Sequence, residues 1–177
     1  MTIRLSKYLW LVSLMWLMQS CKQDPYLPPP IYNGEARAIK EGKPWNAWIY
    51  AKPRRLYPQH GFYLSMDVYN TNLYLREGLT FFSIPYSTGT YTVDTISIYS
   101  DTALTGASYG TYIDDGDVLS QLYDVIHDLG HDNYIRITSY NTQTGEIHGE
   151  FQVTVATKSP PLDTLHFTEG YFHTWIK

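Results

Sequence analysis

The chain has 177 residues, the length of one domain once its ends are set aside, and 16% of it is aromatic, with 17 tyrosines. Such a bias favours β structure, because rings pack well on a pleated surface. The formal charge is −4; without Arg4 and Lys7, which lie in a segment expected to be removed, 11 basic face 17 acidic side chains, a charge of −6. That balance argues against nucleic acid as a partner.

Residues Met1 to Ser20 have the form of a secretory signal peptide, a basic start followed by the apolar run Tyr8 to Met18. The run is about 11 residues long, where a bilayer span needs roughly 20. Cys21, the only cysteine, stands directly behind Ser20. That placement resembles a bacterial lipoprotein processing site, with Met18 and Gln19 departing from the usual aliphatic and small residues of the box. The resemblance implies a diacylglyceryl group on the Cys21 thiol, cleavage before it and acylation of the new amino terminus. The alternative is an ordinary leader followed by a free thiol. A lone exported cysteine has no internal disulfide partner, and lipidation gives it a role. Several acyl chains anchor far more firmly than one, at about 0.8 kcal/mol per buried CH₂.

Residues 21–33 form a tether, with Pro25, Pro28, Pro29 and Pro30 favouring an extended chain. At about 3.1 Å per residue it spans on the order of 35 Å, holding the globular part off the membrane. Lys22 lacks the aspartate of inner-membrane retention, and Lys22-Gln23-Asp24 partly resembles signals that send lipoproteins to the cell surface.

From Gly34 to Lys177 the chain is a series of short alternating runs broken by turn residues. Ala36 to Lys40 is followed, after Glu41-Gly42-Lys43-Pro44, by Trp45 to Lys52, where Trp45, Ala47 and Ile49 alternate with Asn46, Trp48 and Tyr50. Phe62 to Tyr69 is next, then Leu73 to Leu75, Leu79 to Ile84 ended by Pro85, Thr90 to Val93, and Ile96 to Tyr99. Ala107 to Ile113 and Leu119 to Ile126 flank the acidic tip Asp114-Asp115-Gly116-Asp117. Thr164 to Phe167 and Tyr171 to Ile176 close the chain, separated at Glu169-Gly170. The expected fold is all-β, a single antiparallel β-sandwich or partly open β-barrel of about ten strands.

The most explicit segment is Asn133 to Thr157, two alternating runs around Asn141 to Gly145. Ile147, Phe151, Val153 and Val155 share one face with Gly149, while Glu146, His148, Glu150, Gln152 and Thr154 share the other. A turn centred on Gln143 sets Ile135 against Phe151, Arg136 against Glu150, Ile137 against Gly149 and Thr138 against His148. Each pair joins like faces, whereas a slip by one residue sets isoleucines against charges.

Gly42-Lys43-Pro44-Trp45, Gly89-Thr90-Tyr91, Ser139-Tyr140-Asn141 with Gly145 to Phe151, and Gly170-Tyr171-Phe172 together resemble uncharacterised Bacteroidetes lipoprotein families. Those are small β-rich domains of unknown function behind a lipidated cysteine. The resemblance spans roughly Glu35 to Trp175 and implies location and fold, with no activity to carry over.

Three groups invite chemistry. Glu146, His148 and Glu150 alternate on one strand face, as metal ligands or an acid–base pair would. A solvent-facing strand has the same pattern, with Arg136 opposite Glu150, and no metal or catalytic residue is assigned. His127-Asp128 and His131-Asp132 are spaced for zinc on a helix, but Gly130 predicts a turn that separates the rings. The acidic tip lacks the distal glutamate of a calcium loop. Trp48 and Trp175 fall opposite the aliphatic faces of their strands, where with neighbouring tyrosines they are candidates for a sugar-binding surface, or else simply cover a sheet. The resulting expectation is an outer-membrane lipoprotein serving as a non-catalytic binding module for a glycan or protein, with no cofactor. A lipocalin-like carrier of a small apolar ligand is the second reading and a metal-dependent hydrolase the third.

Overall fold

The computed structural model describes residues 32–95, 101, 103–127, 130–158, 160 and 162–177. Cys21, the leader, most of the tether, the strand expected at 96–99 and Asp128 lie outside the described residues. Among the described residues, ten strands and one 3₁₀ turn, Pro58–His60, make up the regular structure: β1 Gly34–Lys40, β2 Lys43–Pro53, β3 Phe62–Tyr69, β4 Leu75–Ile84, β5 Gly89–Thr92, β6 Gly106–Ile113, β7 Val118–Val125, β8 Tyr134–Tyr140, β9 Glu146–Thr157 and β10 Thr164–Trp175.

The strands pair antiparallel in the order β10-β1-β2-β3-β4-β6-β7-β9, and β9 returns to β10, closing an eight-stranded barrel. Strands β8 and β5 extend from the first half of β9. Of the two architectures left open by the sequence, the barrel is the one formed.

Alternation decides which side chains go inside. On β2, Trp45, Ala47, Ile49 and Ala51 are buried while Asn46 and Trp48 are exposed; on β3, Phe62, Leu64 and Met66 take the inner positions. Small and large residues alternate around the interior, so rings from one wall fill the space left by alanines on another. Phe81 of β4 meets Phe151 of β9 at 5.4 Å, and Tyr109 of β6 meets Phe167 of β10 at 5.2 Å. Both pairs are three strands apart around an eight-stranded wall, so they cross the interior. Each fully buried side chain of this size contributes about 1.5–3 kcal/mol. Apolar inside and charged outside is the reverse of a barrel that spans lipid. Among the described residues no helix is long and apolar enough to cross a membrane.

One end of the barrel is closed by inward polar groups. Glu77 Oε2 accepts from Lys40 Nζ at 2.6 Å and from Trp45 Nε1 at 2.7 Å, and Lys40 also reaches the Tyr109 hydroxyl at 3.2 Å. Tyr123 donates from the same region to Asp163 at 2.9 Å, and burial, with that carboxylate beside it, pushes its phenol up to about 12.

Three expectations are corrected. Leu73 to Leu75 is not a strand of its own: β4 begins at Leu75 and runs unbroken to Ile84. Gly78 lies inside it, opposite Asp67, where an added Cβ would approach the Asp67 carboxylate to 3.2 Å. Thr164 to Phe167 and Tyr171 to Ile176 are one strand, β10, because Thr168 and Glu169 form a bulge rather than a break; Glu169 takes φ 52 and pairing resumes at Gly170 opposite Phe151. Finally, Ser139 rather than Thr138 lies opposite His148. The tip closes with Asn141 N–H donating to Glu146 O at 2.9 Å and Gly145 N–H to Asn141 O at 2.8 Å. This moves the turn half a residue past Gln143, and a bulge at Thr138 restores the predicted pairs Ile137–Gly149, Arg136–Glu150 and Ile135–Phe151.

Candidate functional site

Because the interior is occupied by rings, the chemistry-bearing side chains lie on the outer face of the wall. On β2 and β3, the outward positions are Trp48 opposite Asp67 and Tyr50 opposite Ser65. Tyr32, just before β1, lays its ring across them at 5.6 Å from Trp48, 5.3 Å from Tyr50 and 5.8 Å from Tyr69. Its hydroxyl donates to Asp67 Oδ2 at 2.6 Å and lies 2.5 Å from the Tyr69 hydroxyl, while Ser65 Oγ donates to Asp67 Oδ1 at 3.0 Å.

Asp67 is thus a buried carboxylate on the outside of a barrel, 8% exposed under a cover of tyrosines. Loss of water raises its pKa above the usual carboxylate range, and the hydrogen bonds from Tyr32 and Ser65 only partly offset this. The same burial holds the phenols of Tyr32 and Tyr50 above their ordinary range, so both remain neutral donors. Trp48 keeps 44% of its surface exposed. Tyr32 meets it edge-on at 75° and Tyr69 at 48°, so the surface is one indole bordered by tilted tyrosine rings, not a flat shelf.

Trp175 lies on the outer face of β10, two strands from Trp48 across β1, which at about 4.8 Å per strand is on the order of 10 Å. Its ring contacts His173 at 4.5 Å. The register places Ser139, His148, His173 and Glu35 in one row across β8, β9, β10 and β1, and Trp175 opposite Glu146. The imidazoles of His148 and His173 stack with centroids 4.1 Å apart and planes 6° apart. Glu146 Oε1 lies 2.8 Å from His173 Nε2 and 3.6 Å from His148 Nε2.

Glu150, on the same face, does not join this group; Arg136 holds it at 3.2 Å, as the strand pairing predicted. His127 and His131 point apart, the first 3.0 Å from Asp94 Oδ1 and the second against the ring of His166 at 4.6 Å. The acidic tip is a turn closed by Gly116 N–H donating to Ile113 O at 2.9 Å. Within it, a hydrogen bond that protonated Asp117 donates to Asp115, and the charge of Asp115, hold Asp117 above the usual carboxylate range.

Periodicity alone marks Glu146, His148 and Trp175 as outward-facing, but it does not show that His173 is their neighbour. Asp67 was missed for the same reason: Tyr32, which covers it, comes from a segment 35 residues away in sequence. No family model, no curated protein and no solved structure matches the chain.

Proposed function

We propose that this chain is a lipid-anchored protein of the cell envelope whose barrel acts as a non-catalytic binding module, taking a glycan on the outer face that carries Trp48 and Trp175. The observation that carries this reading is the contrast between the two sides of the wall. Rings from opposite strands fill the interior, whereas Trp48 presents its indole outside, bordered by the rings of Tyr32 and Tyr69. An exposed indole among tyrosine rings suits a sugar ring, whose C–H face packs on the aromatic face. The anchor rests on the leader and Cys21 and on the resemblance to lipid-anchored envelope families.

Affinity electrophoresis in gels containing individual soluble polysaccharides tests the reading. The protein is expected to be retarded by at least one polysaccharide, and Trp48→Ala to migrate freely in that gel with its fold intact by circular dichroism. Retardation that survives Trp48→Ala and Trp175→Ala would move the site elsewhere.

The second reading, a carrier of a small apolar ligand, draws on one observation, the closed eight-stranded wall. Barrels of that size hold either packed side chains or a single small ligand. Here the rings of Phe81, Phe151, Tyr109 and Phe167 occupy the interior, which favours the outer-face reading.

A further inference from the structure

We propose that Glu146, His148 and His173 form a three-donor site for a divalent transition ion of the zinc class. The site is built by pairing rather than by local sequence. His148 and His173 are direct cross-strand partners on β9 and β10, and Glu146 lies two residues along β9 on the same outward face. Paired positions in an antiparallel sheet place their Cβ atoms about 4.5–5.5 Å apart, close enough for two imidazoles to share one ion.

The donor geometry fits. One ligand atom from each residue lies within 4.8 Å of the others, and no other such trio of His, Cys, Asp and Glu occurs among the described residues. A tetrahedral ion about 2.0–2.1 Å from its ligands holds any two of them about 3.4 Å apart. The separations from Glu146 Oε1, 2.8 Å to His173 Nε2 and 3.6 Å to His148 Nε2, bracket that value, and a rotation of the two stacked rings out of parallel aims both Nε2 lone pairs at one ion. Two imidazoles and a carboxylate are a ligand set for zinc and its neighbours, not for magnesium or calcium, which favour oxygen.

The support is rigid. Ile147 beside His148, and Phe172 and Thr174 on either side of His173, are fully buried in the barrel, so the backbones carrying the rings are fixed. Trp175 closes one side against His173. The side chains keep 34%, 35% and 23% of their surface exposed for Glu146, His148 and His173, which leaves the remaining coordination position facing solvent. Three protein donors and an open position is the arrangement that accepts a water or an oxygen of a bound molecule.

The test is zinc chloride titrated by calorimetry into the full chain in detergent, carrying Cys21→Ala so that no thiol competes. One zinc per chain is expected. Removing a supporting group of a metal site costs roughly 10–100-fold in affinity, so loss of a ligand in His173→Ala or His148→Gln is expected to weaken binding by more than tenfold. Glu150→Gln and His127→Ala are expected to leave it unchanged. Copper(II), which such a site binds more tightly than zinc, supplies a second readout: bound beside Trp175 it quenches that indole, an effect that a chelator reverses and Trp175→Phe removes. No saturable zinc binding, or binding that both histidine variants retain, would overturn the site.

Discussion

Asp67 carries a cost that the fold accepts. Its ionised form loses water on folding and regains only part of that solvation from Tyr32 and Ser65, so its pKa is higher folded than unfolded. The sign follows from linkage: the penalty is absent below the ordinary carboxylate range and grows as pH rises through the raised folded value. Asp67→Asn is therefore expected to be more stable than the parent at pH 7, with the difference vanishing toward pH 4. Asparagine keeps an oxygen for one donor, and the Tyr32 hydroxyl can turn to accept from its amide while donating to Tyr69. Urea midpoints of both proteins at the two pH values check this; an equal or lower midpoint for the variant at pH 7 contradicts it. Gly149 shows the opposite kind of constraint. The sequence placed it on the inner face between Ile147 and Phe151 without a reason for its size. The reason is Phe172 on the neighbouring strand, because a Cβ at 149 would lie 2.2 Å from Phe172 Cζ and 2.4 Å from the Arg136 carbonyl oxygen. Gly149→Ala is expected to cost about 1–3 kcal/mol, since neither the ring nor the backbone has room to retreat. Thermal unfolding of the variant measures it.

Among the elements, β9 has the most to satisfy, because its first half pairs with β8 and its last residues with β7 along the same edge. Where one partner leaves and the other takes over, Asn133 fills the gap. Its Nδ2 donates to Ile126 O at 2.7 Å, its Oδ1 accepts from Thr154 N–H at 2.7 Å, and its own carbonyl accepts from Val93 N–H at 3.0 Å. Asn133→Ala leaves two buried backbone groups without these bonds, at about 1–3 kcal/mol for each. Faster hydrogen exchange at Thr154, with β1 and β2 unchanged, is the expected signature. Strands and their inner faces were legible because period-2 alternation is a local property. The hairpin register was legible where like faces met, at Ile135–Phe151 and Arg136–Glu150, and failed at Thr138, where the Asn141 turn adds half a residue. Neighbours distant in sequence were not legible. Nothing near Glu146 and His148 announces His173, because strand order depends on how the whole wall closes.

For the whole molecule, the proposed location and the proposed ligand rest on different parts of the chain. The proposed anchor predicts a lipid-modified Cys21, to be checked by intact mass of the membrane-extracted protein; an unmodified thiol there contradicts it. Protease shaving of intact cells, with a tag after Lys177 and Cys21→Ala as the unanchored control, is expected to remove the tag if the domain faces outward and to spare it until the outer membrane is opened if it faces the periplasm. The barrel itself makes a sharper claim, that its interior is packed and recognition belongs to the outer face. Trp45 reports on that interior, being 5% exposed and hydrogen bonded to Glu77. The most direct measurement is a titration of a fluorescent fatty acid, and of haem, into the full chain in a detergent too dilute to form micelles. The account predicts no saturable binding and no change in Trp45 emission. One-to-one binding that alters Trp45 and persists in Trp48→Ala would contradict it and make the barrel a carrier.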